Sequence, residues 1–210
     1  MFIKAFPAGP IETNAFLVGD EESGQAIAID APGDVTADLV DAARAAGLTI
    51  GLIVLTHHHW DHVLDALELK AATGAPLAAH PESVPLLEKP TRPAMPIPVQ
   101  VPAITPDQLL NDGDTVPVGR YTFRVLHTPG HAPGQISLYE PDAAVLFGGD
   151  TLFSGGFGRV DLPGSSVQQT VATMQRLLQL PDNVTVYPGH GQETTIGAER
   201  AWITQLISRR

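Results

Sequence analysis

The sequence predicts an α+β fold assembled from two similar halves, and three observations carry that prediction. Runs of strand character lead into a helix, a strand and a second helix, and the same order recurs in the second half. A chain of 210 residues, 43% of them hydrophobic, is long enough to bury a sizeable core. Its 20 glycines and 19 prolines provide for many turns between short elements.

In the first half, strands are expected at Phe2–Phe6, Ala15–Val18 and Ala26–Ile29. Asp34–Ala46 reads as a helix, because Val35, Leu39, Ala42, Ala43 and Ala46 share one face and Gly47 stops it. Ile50–Leu55 is an unbroken apolar run rich in β-branched residues, the mark of a strand buried on both faces. A helix over Val63–Thr73 and a short strand over Pro76–Ala79 follow. Eight prolines fall between Pro81 and Pro106, too many for regular structure across most of that span. The segment reads as a surface crossing between the halves, or as a loop overhanging a cleft.

Strands at Thr115–Val118, Tyr121–Leu126, Gln135–Tyr139 and Ala143–Phe147 open the second half. A helix is expected over Val167–Leu180, with Ser166 and Gln169 as a capping box and Pro181 at its end. Val184–Tyr187 reads as the last strand and Ile196–Ile207 as the terminal helix. One domain spanning residues 1–210 is the expectation.

Composition narrows the function. Twelve Lys plus Arg against 23 Asp plus Glu give a net charge of −11, which argues against nucleic acid as a partner, since phosphate binding needs a basic surface. No apolar run approaches the roughly 20 residues that span a bilayer, and Met1–Pro7 lacks the pattern of a signal peptide. A cytoplasmic protein that does not engage a membrane is expected; its oligomeric state is left open. The absence of cysteine leaves only imidazole and carboxylate to hold a borderline metal tightly.

Those groups are concentrated in Thr56-His57-His58-His59-Trp60-Asp61-His62. Along an extended backbone, His57 and His59 point the same way and can converge on one ion. Asp61 and His62, beyond a turn, can address a second position nearby, and three such ligands plus a water make a catalytic site. Thr128-Pro129-Gly130-His131, Gly148-Gly149-Asp150-Thr151 and Pro188-Gly189-His190-Gly191 each follow a predicted strand. Glycine beside a ligand lets the backbone turn sharply, and strand ends give the site a rigid frame.

Taken in order, T-H-x-H-x-D-H, T-P-G-H, G-D-T-L-F and P-G-H-G resemble the metallo-β-lactamase superfamily, and within it the short relatives of glyoxalase II, the hydroxyacylglutathione hydrolases. The resemblance implies an αββα sandwich, two β-sheets between helical layers. It implies that His57, His59 and His131 hold a first divalent ion, that Asp61, His62 and His190 hold a second, and that Asp150 bridges them. Zinc, iron and manganese all suit such donors. Coordination acidifies water toward neutral pH, so a hydroxide shared by the two ions would attack the carbonyl of an S-2-hydroxyacylglutathione-type thioester. Asp61 would orient that nucleophile as well as ligate.

Asp30 matches a family position that supports the histidine loop. His58 should face away from the ions, His127 should be a buried, hydrogen-bonded histidine, and His80 reads as structural. Arg159 matches a basic position that contacts glutathione, but Asp161 stands where an aromatic residue is expected, so the two could pair instead. Leu64–Asp65 replaces a Gly-Gly, and at 210 residues the helical C-terminal domain of full glyoxalase II is not expected. Other readings are a persulfide dioxygenase using one iron on His57, His131 and Asp150, a lactonase, and a metal-binding module without turnover.

Overall fold

The computed structural model describes residues 1–90 and 99–208. Three strands open the chain, β1 (Phe2–Ala8), β2 (Thr13–Asp20) and β3 (Gln25–Ile29). Helix α1 (Thr36–Ala45) and strand β4 (Thr49–Val54) follow, then helix α2 (Ala66–Thr73) and the short β5 (Leu77–Ala79). Helix α3 (Val84–Glu88) and β6 (Gln108–Leu109) lie on either side of 91–98. The second half runs β7 (Thr115–Val118), β8 (Tyr121–His127), β9 (Ile136–Glu140), β10 (Val145–Gly149), α4 (Val167–Leu177), β11 (Thr185–Pro188), β12 (Thr194–Thr195) and α5 (Ile196–Ser208).

Two six-stranded sheets result, ordered β1-β2-β3-β4-β5-β6 and β12-β11-β10-β9-β8-β7. In each, a run of antiparallel strands (three in the first, β1–β3, and four in the second, β7–β10) is followed by a helix and a strand that pairs in parallel, β4 on β3 and β11 on β10. The two halves share that central pattern, as the order of predicted elements implied, and differ beyond it, where β5 and β6 add in parallel to the first sheet and β12 adds antiparallel to the second.

Side-chain alternation sets the layers. On β2, Ala15 and Leu17 join a core with Leu39 of α1 and Leu69 of α2, while Phe16 and Val18 join a second core against Phe123, Val125 and Phe147. On the other sheet, Leu146 turns away from Phe147 to pack with Met174 and Leu177 of α4 and Ile203 of α5. Period-two burial on both faces thus builds helix, sheet, sheet, helix, the αββα sandwich. Phe16, Phe147 and Tyr187 fix the sheets together, with ring centroids 5.0–5.8 Å apart.

Several boundaries differ from expectation. The polar cluster after β4 forms a 3-10 turn at Trp60–His62, which delays α2 to Ala66 rather than Val63. Pro81 starts a second 3-10 turn that runs into α3, so the front of the proline-rich stretch is ordered; proline fits a first helical turn, where its missing N–H costs nothing. Residues 91–98 of that stretch lie outside the described residues. Ser166 caps α4 by accepting from Gln169 N at 3.3 Å, and the helix closes at Leu177, three residues before the expected end. Among the described residues, no helix is long and apolar enough to cross a membrane.

Candidate metal centre

The polar motifs all leave the sheets at one edge. Thr56–His62 follows β4, His131 follows β8, Asp150 follows β10, His190 follows β11 and Asp30 follows β3. Thr13, heading the antiparallel β2, lies at the same edge. Backbone bonds join these segments: Ile136 N to Thr56 O at 2.9 Å crosses between the sheets, while Ala31 N to His62 O at 2.8 Å and Gly189 N to Gly149 O at 2.8 Å tie neighbouring strand ends within each. Glycine is demanded at two of the turns. Gly149 has φ +49°, and a Cβ there would stand 2.6 Å from Thr56 Oγ1. A Cβ on Gly189 would stand 2.7 Å from His62 Cε1, closing the space between the His62 ring and the His190 loop.

Seven side chains singled out by the sequence converge here. His57, His59 and His131 form one group of facing ligand atoms; Asp61, His62 and His190 form another; His57, His62 and Asp150 lie between, each group within 4.8 Å. Asp150 faces both sides, with Oδ2 3.4 Å from His131 Nε2 and 3.7 Å from His190 Nε2, and Oδ1 3.4 Å from His62 Nε2.

Hydrogen bonds decide which nitrogen each imidazole presents. Thr56 Oγ1 donates to Asp30 Oδ2 at 2.8 Å and so accepts from His57 Nδ1 at 3.0 Å, leaving His57 Nε2 with its lone pair. His62 Nδ1 donates to Asp30 Oδ2 at 2.7 Å, and His131 Nδ1 donates to the Arg159 carbonyl at 2.9 Å. The freed Nε2 atoms of His57 and His131 lie 3.0 and 2.7 Å from His59 Nδ1. Such crowding of nitrogen lone pairs suits a cation among them.

Two atoms sharpen that fit. His62 Nε2 and Asp150 Oδ1 are buried without a hydrogen-bond partner. Leaving such groups bare costs about 1–3 kcal/mol each, and a divalent ion would satisfy both. Electrostatics splits the cluster in the same way. Burial, reinforced by neighbouring imidazoles, pushes His57 and His59 well below the usual histidine range. Burial also opposes a charge on His62, but Asp61, Asp150 and Asp30 outweigh it and push that group well above the range. For Asp61, burial opposes ionisation, yet His62, His190 and Thr13 hold the carboxyl below the usual range.

The surrounding residues fall out as follows. Asp30 is buried and ties Thr56 to His62, the supporting role expected of it. His58 belongs to none of the donor groups. His127 Nε2 donates to Pro133 O at 2.8 Å and its ring stacks on His80, centroids 4.0 Å apart and 12° from parallel. His80, His127 and Glu82 come close enough to suggest a further metal site. Rings stacked face to face cannot both hold one ion in plane, and His80 Nδ1 already accepts from Glu82 N, so this is a packed pair. Arg159 forks onto Asp161 at 2.7 and 2.8 Å, both exposed.

Sequence reasoning missed three supporting contacts. Thr13 Oγ1 donates to Asp61 Oδ2 at 2.9 Å; the Arg159 backbone, not its side chain, orients His131; and buried Glu199 of α5 accepts from Gly155 N at 2.8 Å, anchoring the loop beside the site. On that loop Phe153 meets His190 edge-on, with centroids 6.3 Å apart. A backbone carbonyl leaves no mark in a sequence, whereas Thr13 and Glu199 are visible there but carry no spacing signal.

Known proteins share this frame. The family model described as "Metallo-beta-lactamase superfamily" matches residues 8–190. Over 207 residues the chain is 34% identical to hydroxyacylglutathione hydrolase GloC of Haemophilus influenzae, covering 95% of each. The crystal structure of BLEG-1 B3 metallo-beta-lactamase superposes with a TM-score of 0.88 at 34% identity, over 97% of this chain and 100% of that one. TTHA1623, solved in a di-iron-bound form, gives 0.77 at 37% identity, over 94% and 97%.

Proposed function

Because the chain belongs to the metallo-beta-lactamase superfamily, we propose that it is a dinuclear metallohydrolase cleaving small thioesters of the S-2-hydroxyacylglutathione type. The observation that carries this reading is the pair of donor groups, His57/His59/His131 and Asp61/His62/His190, with Asp150 facing both. His57, His59 and His131 would hold the first ion, Asp61, His62 and His190 the second, and Asp150 would bridge them. Divalent zinc, iron or manganese held there would acidify water toward neutral pH and polarise a carbonyl oxygen.

The chain's own part is placement. Asp30, Thr56 and the Arg159 carbonyl engage the Nδ1 atoms of His57, His62 and His131, so that Nε2 is the atom each ring turns toward the site. Asp61, held by Thr13, would steer the attacking water. Phe153 offers an apolar wall beside His190 for the acyl or thiol portion. Arg159 as a binder of a substrate carboxylate would exchange the Asp161 carboxylate for another of the same shape. The likeness to GloC supports a glutathione-derived thiol, and a cytoplasmic setting, where low-molecular-weight thiols stay reduced, fits that substrate.

Metal analysis of the purified protein beside a panel of thioester, lactone, β-lactam and glutathione persulfide substrates tests this. Two ions per chain and thioester cleavage that chelation abolishes are expected. Full turnover after exhaustive metal removal would overturn it, and one iron per chain with O₂ uptake on the persulfide would replace it with a dioxygenase.

A further inference from the structure

The second donor group draws Asp61 and His62 from one sheet and His190 from the other, and one short segment grips both ends of it. Thr13 Oγ1 donates to Asp61 Oδ2 at 2.9 Å, and Thr13 forms an isolated antiparallel bridge with His190. The next residue completes the grip on the His190 loop. Asn14 N donates to Gly189 O at 2.7 Å, and its side-chain amide donates to Pro188 O at 2.9 Å and Gly191 O at 3.0 Å. Both residues are buried, Thr13 at 1% exposure, so water is not at hand to replace its hydroxyl. His57 and His131, in the other donor group, take their orienting bonds from Thr56 and the Arg159 carbonyl instead.

We propose that Thr13, backed by Asn14, is a positioning residue that determines whether the second ion is held, making the head of β2 the element that separates a two-ion from a one-ion centre. This rests on the two-ion reading above. Asp61 Oδ2 lies 3.3 Å from His62 Nε2 and 3.2 Å from His190 Nε2, so three neighbours compete for one oxygen. The terminal torsion of a carboxylate is soft, and among the described residues Thr13 supplies the one hydroxyl that donates to it and so sets which way the group turns. Released from it, the carboxylate can swing onto either imidazole as a plain ion pair and withdraw from the ion. Loss of such an outer partner weakens metal binding about 10- to 100-fold. Here the loss falls on one ion of two.

The test titrates metal-free wild type, Thr13→Val, Thr13→Ala and Thr13→Ser with zinc alone, against a competing chelator. Circular dichroism checks that each variant is folded, and Thr13→Ala serves if Thr13→Val does not fold. Wild type and Thr13→Ser should bind two zinc ions. Thr13→Val and Thr13→Ala should keep the first at unchanged affinity and bind the second about 10- to 100-fold more weakly. Two wild-type affinities in the folded variants would overturn the proposal, as would equal weakening of both ions, the signature of a purely structural role. A wild type that binds one zinc would instead sink the two-ion reading, and this proposal with it.

Discussion

Asp30 concentrates the logic of the site in a single residue. Its backbone sits at φ +60°, the left-handed region that costs most side chains about 1–2 kcal/mol, and that turn aims the carboxylate back under the histidine loop. Oδ1 accepts from Thr56 N at 2.7 Å, while Oδ2 takes Thr56 Oγ1 at 2.8 Å and His62 Nδ1 at 2.7 Å. Asparagine tolerates the same backbone but offers one acceptor where the carboxylate uses two. Asp30→Asn should therefore keep the fold, lower apo-protein stability by about 1–3 kcal/mol in urea titration, and weaken metal binding about 10- to 100-fold. An unchanged metal affinity would mean that packing alone orients His62. Asp30 was legible because it matches a position of the family the sequence resembles, whereas Thr13 stands in a plain strand and Arg159 acts through an atom every residue has.

At the scale of elements, α1 shows where local pattern ends. The sequence suggests a start at Asp34, but Asp34 itself is at φ +65° and no neighbouring side chain caps the helix. Asp65 does so from across the fold: its Oδ2 accepts from Val35 N at 2.9 Å, Thr36 N at 3.1 Å and Thr36 Oγ1 at 3.2 Å. A carboxylate there also meets the positive end of the helix dipole. Asp65→Ala should cost about 0.5–2 kcal/mol by urea unfolding, and Asp65→Asn less; no loss with alanine would reduce the contact to a surface ornament. A cap thirty residues downstream leaves no local signal, whereas Ser166, directly before α4, could be read at once. The same distinction explains β6 and β12, two-residue strands that exist only because a neighbouring strand is there to pair with.

For the whole molecule, the order of strand and helix runs made the two halves legible, the family resemblance supplied the αββα sandwich, and the motifs after the strands made the site legible. The join between the sheets at the opposite edge was not. There Asp20 at the end of β2 accepts from Arg120 N at 3.1 Å, Nε at 3.1 Å and Nη2 at 3.0 Å, a pairing of two sequence-distant residues with no motif around either. The Arg120 side chain beside it pulls the Asp20 carboxyl down to about 2. A lowered carboxyl stabilises the fold at every pH above the ordinary carboxylate range and loses that contribution as pH falls toward the lowered value. The stability gap between wild type and Asp20→Asn should thus be flat from neutral pH to about 4 and shrink toward about 2. A gap independent of pH in urea titrations would leave Asp20 without that role. The spread of the donor atoms along the chain has a last consequence, for the order in which a growing polypeptide becomes competent. His57, His59 and His131 have all left the ribosome once the first 131 residues are out, whereas His190 emerges 59 residues later. At roughly 5–20 residues per second, a nascent chain spends about 3–12 s with three imidazoles available and the second set incomplete. Any ion captured during synthesis would meet the three-histidine set first.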